Sequence, residues 1–229
     1  MAHQPNLRRA RLGSAPTQAG IWVDGLDAVT HRPATAVSRD GGRTWITHTF
    51  AGLPAVPPSL PEDVQKRGGK YVEGAKWYLP RIASYDGRTA YAMVLAYSAD
   101  APADRIAVFR TTDAGTTWTL TSNLSQRETL AYRGYATPDN AHVIQTLAPP
   151  PQLHLLVSTD GRSYAPRNVD GFAEEGSAWL SIGPGTPFLA LSGGGFQASM
   201  SEDGLAWRTI WKISCIRDVP CASPSASPN

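Results

Sequence analysis

Apolar residues in this chain come in short runs, each closed by a polar turn signal. Ala34–Val37, Ile106–Phe109, Leu153–Val157 and Phe196–Met200 are largely apolar, and each is followed within a few positions by a Ser or Thr, an Asp and a Gly. Three of these turns lead into further strand-like runs, Trp45–Phe50, Trp118–Leu120 and Trp207–Trp211. Short runs bounded by turn residues predict β-strands joined as hairpins. The run after the remaining turn, Tyr164-Ala165-Pro166, is weaker, because proline has no N–H for a central ladder.

The turns repeat. Ser38-Arg39-Asp40-Gly41-Gly42-Arg43-Thr44-Trp45 aligns with Thr111-Thr112-Asp113-Ala114-Gly115-Thr116-Thr117-Trp118. Ser158-Thr159-Asp160-Gly161-Arg162-Ser163-Tyr164 and Ser201-Glu202-Asp203-Gly204-Leu205-Ala206-Trp207 are each one position shorter. The Asp carboxylate suits a turn because it accepts backbone N–H groups of its own loop. Gly supplies the positive φ, the Ser or Thr hydroxyl closes the loop, and the terminal Trp or Tyr brings a large apolar surface to the next strand.

These four segments resemble the Asp-box, or bacterial neuraminidase repeat, motif S-x-D-x-G-x-T-W, across roughly residues 20–212. The resemblance implies an all-β fold, a sialidase-like β-propeller of four-stranded antiparallel blades with each motif between a blade's third and fourth strands. It also implies that Asp40, Asp113, Asp160 and Asp203, with Trp45, Trp118, Tyr164 and Trp207, are structural. Asp113 to Asp160 is 47 residues and Asp160 to Asp203 is 43, which fits blades of about 40–50 residues. Asp40 to Asp113 is 73, and the excess falls in a Pro- and Gly-rich stretch, 51–76, expected as an inserted loop. About four blades are expected, as a closed small ring or a partial propeller that would self-associate through its open edges. Four similar hairpins in a β-sandwich are the competing reading, disfavoured because sandwiches rarely repeat one turn at this interval.

Composition refines the picture. Charged residues are 17% of the 229, and 21 Gly with 19 Pro suit many short strands and turns. A net charge of +2 is too small and dispersed to point to nucleic acid. Arg8, Arg9 and Arg11 read as a solvated basic arm over 1–19, and 213–229 reads as a Ser/Pro-rich tail. No apolar run is long enough to span a membrane, and the N-terminus lacks a signal peptide's apolar stretch, although the resemblance implies an extracytoplasmic setting. Cys215 and Cys221 lie close together and fit either a small disulfide loop or two free thiols. No metal site or cofactor is expected: the five His have no metal spacing, and strand-borne His are expected as hydrogen-bonded surface residues.

A sialidase site needs an arginine cluster, a Tyr–Glu nucleophile pair and an Asp acid/base around an oxocarbenium-like transition state. Leu79-Pro80-Arg81-Ile82 holds the residues of the family's F/Y-R-I-P motif in the wrong order. The candidates are Arg81, Arg133 and Arg105, Tyr135 with Tyr132 and Glu128 nearby, and Asp24 with Asp27. A surface or strand-edge role competes for each. Trp77 is the candidate for glycan stacking, with a core Trp as the competing reading. The expected function is a non-catalytic binding or assembly module with a glycan or protein ligand. The alternative is an exo-sialidase or other glycoside hydrolase with a divergent site.

Overall fold

The computed structural model describes residues 7–12, 20–30, 32–50, 80–96, 105–125, 134–146, 154–168, 178–181, 187–191 and 197–212. Among them the secondary structure is β-strand throughout. Blade one contains β1 (Leu7–Leu12), β2 (Ile21–Asp27), β3 (Pro33–Ser38) and β4 (Ile46–Thr49). Blade two contains β5 (Arg81–Ser84), β6 (Ala90–Ala96), β7 (Arg105–Thr111) and β8 (Thr119–Ser125). Blade three contains β9 (Gly134–Ala136), β10 (His142–Thr146), β11 (His154–Ser158) and β12 (Ala165–Asn168). Blade four contains β13 (Ala178–Ser181), β14 (Phe188–Leu191), β15 (Gln197–Ser201) and β16 (Arg208–Lys212).

Each blade is one antiparallel four-stranded sheet whose strands pair in sequence order, and every repeat turn joins a third strand to a fourth. Successive up-and-down sheets packed face to face are the blades of a β-propeller. The first strands of blades two and three, β5 and β9, lie side by side.

Two expectations change. The segment read as a basic arm supplies β1, which pairs Leu7 with Asp27 and Arg11 with Asp24 and shifts register between Arg8 and Arg11. Three arginines in six residues and that irregularity hide the two-residue period by which a strand is read. Pro166 does not prevent β12, because β12 is an edge strand and pairs only with β11. The inserted loop 51–76 and the tail 213–229 lie outside the described residues.

Strand alternation sends successive side chains to opposite faces, so a central blade packs against both neighbours. On β6, Ala90, Ala92 and Val94 join Trp22, Val37 and Phe50 of blade one. Tyr91 and Met93, on the other face, join Ile144 of blade three. In blade four, Phe188, Ala190 and Trp207 pack with Tyr135 of blade three and Tyr85 of blade two.

An aromatic ring from one blade covers the repeat-turn glycine of the next at three seams. A methyl group at Gly115 would lie 2.8 Å from Trp22, one at Gly161 3.1 Å from Tyr91, and one at Gly204 2.9 Å from Tyr135. Trp22 and Tyr91 occupy equivalent positions on second strands, each pairing with the residue before the turn's Ser or Thr. In blade three that position is Val143, and the ring comes instead from Tyr135, its partner across the β9–β10 pair.

Gly115 therefore has two reasons to be glycine: its φ is +81° and its missing side chain is where Trp22 sits. The φ alone costs an alanine about 1–2 kcal/mol, and overpacking adds about 1–3 kcal/mol. Gly42, with φ +88° and only its own Trp45 within 4 Å among the described residues, carries the first cost alone. Gly115→Ala is expected to lower the urea midpoint clearly more than Gly42→Ala. Equal losses would show that the Trp22 contact contributes nothing to the seam.

Candidate functional site

The four turn aspartates are acceptors inside their own loops. Asp40 Oδ1 accepts the N–H groups of Arg43 and Thr44 at 2.9 Å, and Oδ2 accepts the Thr44 hydroxyl at 2.6 Å. Asp113 repeats this with the Thr117 N–H at 2.9 Å and its hydroxyl at 2.7 Å. In each turn the leading Ser or Thr hydroxyl donates to the Asp and accepts a glycine N–H. The shortened turns keep the N–H bonds, from Arg162 and Ser163 to Asp160 and from Leu205 and Ala206 to Asp203. Ala206 has no hydroxyl to offer at the threonine position.

Donors aimed at a carboxylate favour its charged form. The Thr44 hydroxyl, above all, holds Asp40 well below the usual carboxylate range. Asp113 is lowered to about 2, chiefly by the Thr117 N–H. The Arg162 N–H leads the lowering of Asp160. At Asp203 desolvation is the largest influence and opposes the trend, but the N–H groups of Ala206 and Leu205 with the Ser201 hydroxyl outweigh it. A general acid needs a raised pKa, so these four carboxylates are suited to holding turns and not to donating protons at neutral pH.

The terminal aromatics divide between roles. The indole N–H groups of Trp45 and Trp207 donate to the carbonyls of Gly42 and Gly204 at 3.2 and 3.3 Å. Trp118 packs edge-on to Trp22 and Phe50, with ring centroids 5.8 and 5.4 Å away. Tyr164 shares a 2.7 Å hydrogen bond with Nδ1 of His142. His142 corrects the expectation of surface histidines: it is fully buried and stacks on Tyr91 at 4.6 Å and 7°. Its Nε2 has no hydrogen-bond partner among the described residues. The Tyr91 hydroxyl donates to the Asn140 carbonyl at 2.8 Å. At the seam between blades two and three, His142 thus lies flat on Tyr91 and meets Tyr164 edge-on. Burial lowers His142 to about 3, so the ring is neutral at physiological pH. Arg39 ties turn one to turn two, donating to the carbonyls of Asp113 and Ala114 at 2.7 and 2.9 Å and to the Thr116 hydroxyl at 2.9 Å.

The described candidate catalytic residues Asp24, Arg81 and Tyr135 lie on three different blades. Tyr135 belongs to the seam between blades three and four. Its hydroxyl donates to the Gly204 carbonyl at 2.5 Å, its ring packs on Phe188 at 5.2 Å, and burial raises its pKa. A phenol so held has the opposite of a nucleophile's activation. Asp27 caps the turn after β2, accepting the N–H groups of Val29 and Thr30 at 3.1 and 2.6 Å and the Thr30 hydroxyl at 2.8 Å. Asp24 is buried on β2, on the face that carries Trp22. Arg81 opens β5, half-buried, at the end remote from the turn that follows Ser84. Strands β2 and β5 approach each other, while Tyr135 turns toward the fourth repeat turn. Arg105 opens β7. Trp77, Glu128, Tyr132, Arg133, Cys215 and Cys221 lie outside the described residues. No group of three or more potential metal ligands occurs among the described residues.

No family model and no curated protein matches the chain. Its backbone is similar to those of several solved structures, all at low identity. A Hadza microbial sialidase, Hz136, matches at 14% identity with a TM-score of 0.48, over 89% of this chain and 47% of that one. The family 93 α-L-arabinofuranosidase of Fusarium graminearum with arabinobiose matches at 14% and 0.47, over 89% and 64%. YCF48 from Cyanidioschyzon merolae matches at 14% and 0.47, over 93% and 61%. The chain thus spans between about half and two-thirds of the length of these three structures.

The buried neutral His142 sets the pH response of the fold. Its pKa falls from about 6.5 unfolded to about 3 folded, so its contribution is fully present above pH 6.5 and is lost as pH falls toward 3. The loss runs at up to about 1.4 kcal/mol per pH unit, or about 2 kcal/mol by pH 5. His48, lowered mainly by burial, acts in the same direction. The turn aspartates add their loss only below about pH 4. Urea titrations between pH 7 and 4.5 are expected to show a marked fall in stability that is shallower in His142→Phe. An unchanged slope in that variant would show that His142 is not the titrating group.

Proposed function

We propose that this chain is a sialidase-like Asp-box propeller that serves as a binding or assembly module without catalysis of its own, with a glycan as its candidate ligand. The observation that carries the reading is the engagement of the tyrosine and the aspartates. Tyr135, the candidate nucleophile, holds a seam between blades through Gly204, and the repeat aspartates hold their own turns. The similarity of those turns to the Asp-box motif supports the same assignment, and the regular donor pattern around each Asp is what such a motif requires. The ligand face in this reading is the end of the blades away from the repeat turns, where Arg81 opens β5. Trp77, four positions before Arg81, is the proposed stacking residue there. No helix among the described residues is long and apolar enough to cross a membrane. An extracytoplasmic setting and a protein ligand belong to the same proposal.

An exo-sialidase or other glycoside hydrolase with a divergent site is the second reading. The burial of Asp24 on β2, a strand that approaches β5 and its Arg81, favours it.

A glycan array and affinity electrophoresis with the full chain and its Trp77→Ala variant distinguish the readings. The expected result is binding that weakens by about tenfold or more in the variant, the cost of one aromatic anchor. Binding unaffected by the substitution would remove Trp77 from the site, and no binding would withdraw the glycan ligand. Turnover of a fluorogenic sialoside, abolished in Arg81→Ala, would replace the module with an enzyme.

A further inference from the structure

The three seams differ in what their buried rings can do when the pH falls. In the second, His142 is fully buried, lies flat on Tyr91 with ring centroids 4.6 Å apart, and meets Tyr164 edge-on at 5.8 Å. Its Nδ1 shares a hydrogen bond of 2.7 Å with the Tyr164 hydroxyl. Its Nε2 has no partner among the described residues and abuts Gly134, where a methyl group would come within 2.9 Å of it. A second proton on this ring would therefore be an N–H with no acceptor, buried away from water. In the first seam His48 is half-buried and packs on Phe50 and Trp118; burial lowers its pKa, but the Asp113 carboxylate acts the other way. The cluster of the third seam, Phe188, Ala190 and Trp207 with Tyr85 and Tyr135, holds no histidine.

Burial alone governs the protonation of His142, with no neighbouring charge to offset it. From blade two, Arg110 on β7 stands 5.8 Å from the centre of the Tyr91 ring, so a charged His142 would meet a tyrosine already engaged by a cation. Arg81 on β5 pairs with Met93, on the side of the blade that faces blade three. Asp86 and Asp160 act on Tyr91, and Asp160 also on Tyr164, but the Asp160 carboxylate accepts the N–H groups of Arg162 and Ser163. On blade three, alternation along β11 puts His154 at a position on the same side as Leu156 and Ser158. The third repeat turn closes the seam over His142. Its Gly161 lies against Tyr91, whose hydroxyl donates to the carbonyls of Asn140 at 2.8 Å and Thr159 at 3.4 Å. Away from these contacts β5 and β9 lie side by side, and Tyr85 of blade two stacks on Phe188 of blade four at 6.2 Å.

We propose that this seam is an acid-operated joint: when His142 takes up a proton, Tyr164 and the third repeat turn lift off Tyr91, while β5 and β9 keep blades two and three together at their first strands. The closed seam excludes the proton because a charged ring there would have neither water nor an acceptor. The open seam admits water, and the ring then ionises like an ordinary histidine near 6.5. Opening therefore becomes about tenfold more favourable for each pH unit below that value, about thirtyfold in all by pH 5. The first seam, whose histidine is half-exposed and feels a carboxylate, and the third, whose cluster has none, stay closed over this range. Opening of one interface ahead of the whole fold exposes a surface that the closed chain hides. The surface released here is the Tyr91 ring with Gly161 and the Thr159 carbonyl. This inference concerns one seam and does not depend on the glycan reading.

The test uses the full chain with Cys215 and Cys221 replaced by Ser and a single reporter thiol. Ile144→Cys, buried in the cluster of Tyr91 and Met93, reports on the second seam, and Val37→Cys, buried in the cluster of Trp22, reports on the first. Labelling by dithiodipyridine, which reacts with thiols at acidic pH, is measured between pH 8 and pH 5 and divided by the rate for the urea-unfolded chain at the same pH. Normalised labelling of Ile144→Cys is expected to rise about thirtyfold, and that of Val37→Cys less than about threefold. Adding His142→Phe is expected to abolish the rise at Ile144→Cys, and adding His154→Gln to leave it. No rise at Ile144→Cys would overturn the proposal. A parallel rise at both thiols would also overturn it, because the whole chain would then be opening. So would a rise that persists in His142→Phe or vanishes in His154→Gln. If His142→Phe does not fold, the comparison of the two thiols and the His154→Gln chain decides.

Discussion

The structure depends on one recurring contact, an aromatic ring of one blade pressed onto the left-handed glycine at the repeat turn of the next. A four-stranded sheet of this size cannot bury both faces by itself. Its stability comes from neighbours, and the ring-on-glycine contact fixes how closely neighbours approach. Trp22, Tyr91 and Tyr135 need a flat surface with no side chain on it, and Gly115, Gly161 and Gly204 supply one. The aliphatic clusters between blades then fill the remaining depth.

The hydrogen-bonded cage around each turn aspartate serves that contact. A left-handed glycine in an unsupported loop has many conformations to lose. The Ser or Thr hydroxyl fixes the glycine N–H while the Asp fixes the residues that follow, so the flat surface is held ready before the neighbouring ring arrives. The carboxylates stay ionised well below neutral pH because backbone N–H groups and Ser or Thr hydroxyls converge on them. Burying His142 as a neutral ring between two tyrosines gives the second seam a polar contact without a charge.

Much of this was legible in the chain. The four turns announced themselves because Asp, Gly and a terminal aromatic at fixed offsets answer to local geometry, which sequence records directly. The strands before the turns were readable for the same reason, with β7, Arg105–Thr111, enclosing the expected run Ile106–Phe109. What stayed hidden depends on partners distant in sequence. The strand at Leu7–Leu12 is arginine-rich and needs β2 to define it. Tyr135 looked like a nucleophile candidate because it lies next to Arg133, but its surroundings are set by Gly204, 69 positions later. His142 carries no local sign of full burial, since its walls are Tyr91 and Tyr164.

The third blade shows how much freedom such a seam leaves to sequence drift. Tyr135 and Val143 face one another across a strand pair, and the ring that Trp22 and Tyr91 supply from the second strand comes here from the first. What is preserved is a volume of aromatic carbon above a glycine, shared by two adjacent positions. A large side chain can therefore migrate between strands as its partner shrinks, and the seam survives the exchange. In this chain the ring above a turn glycine is therefore set by a cross-strand pair of positions and not by one fixed place in the repeat.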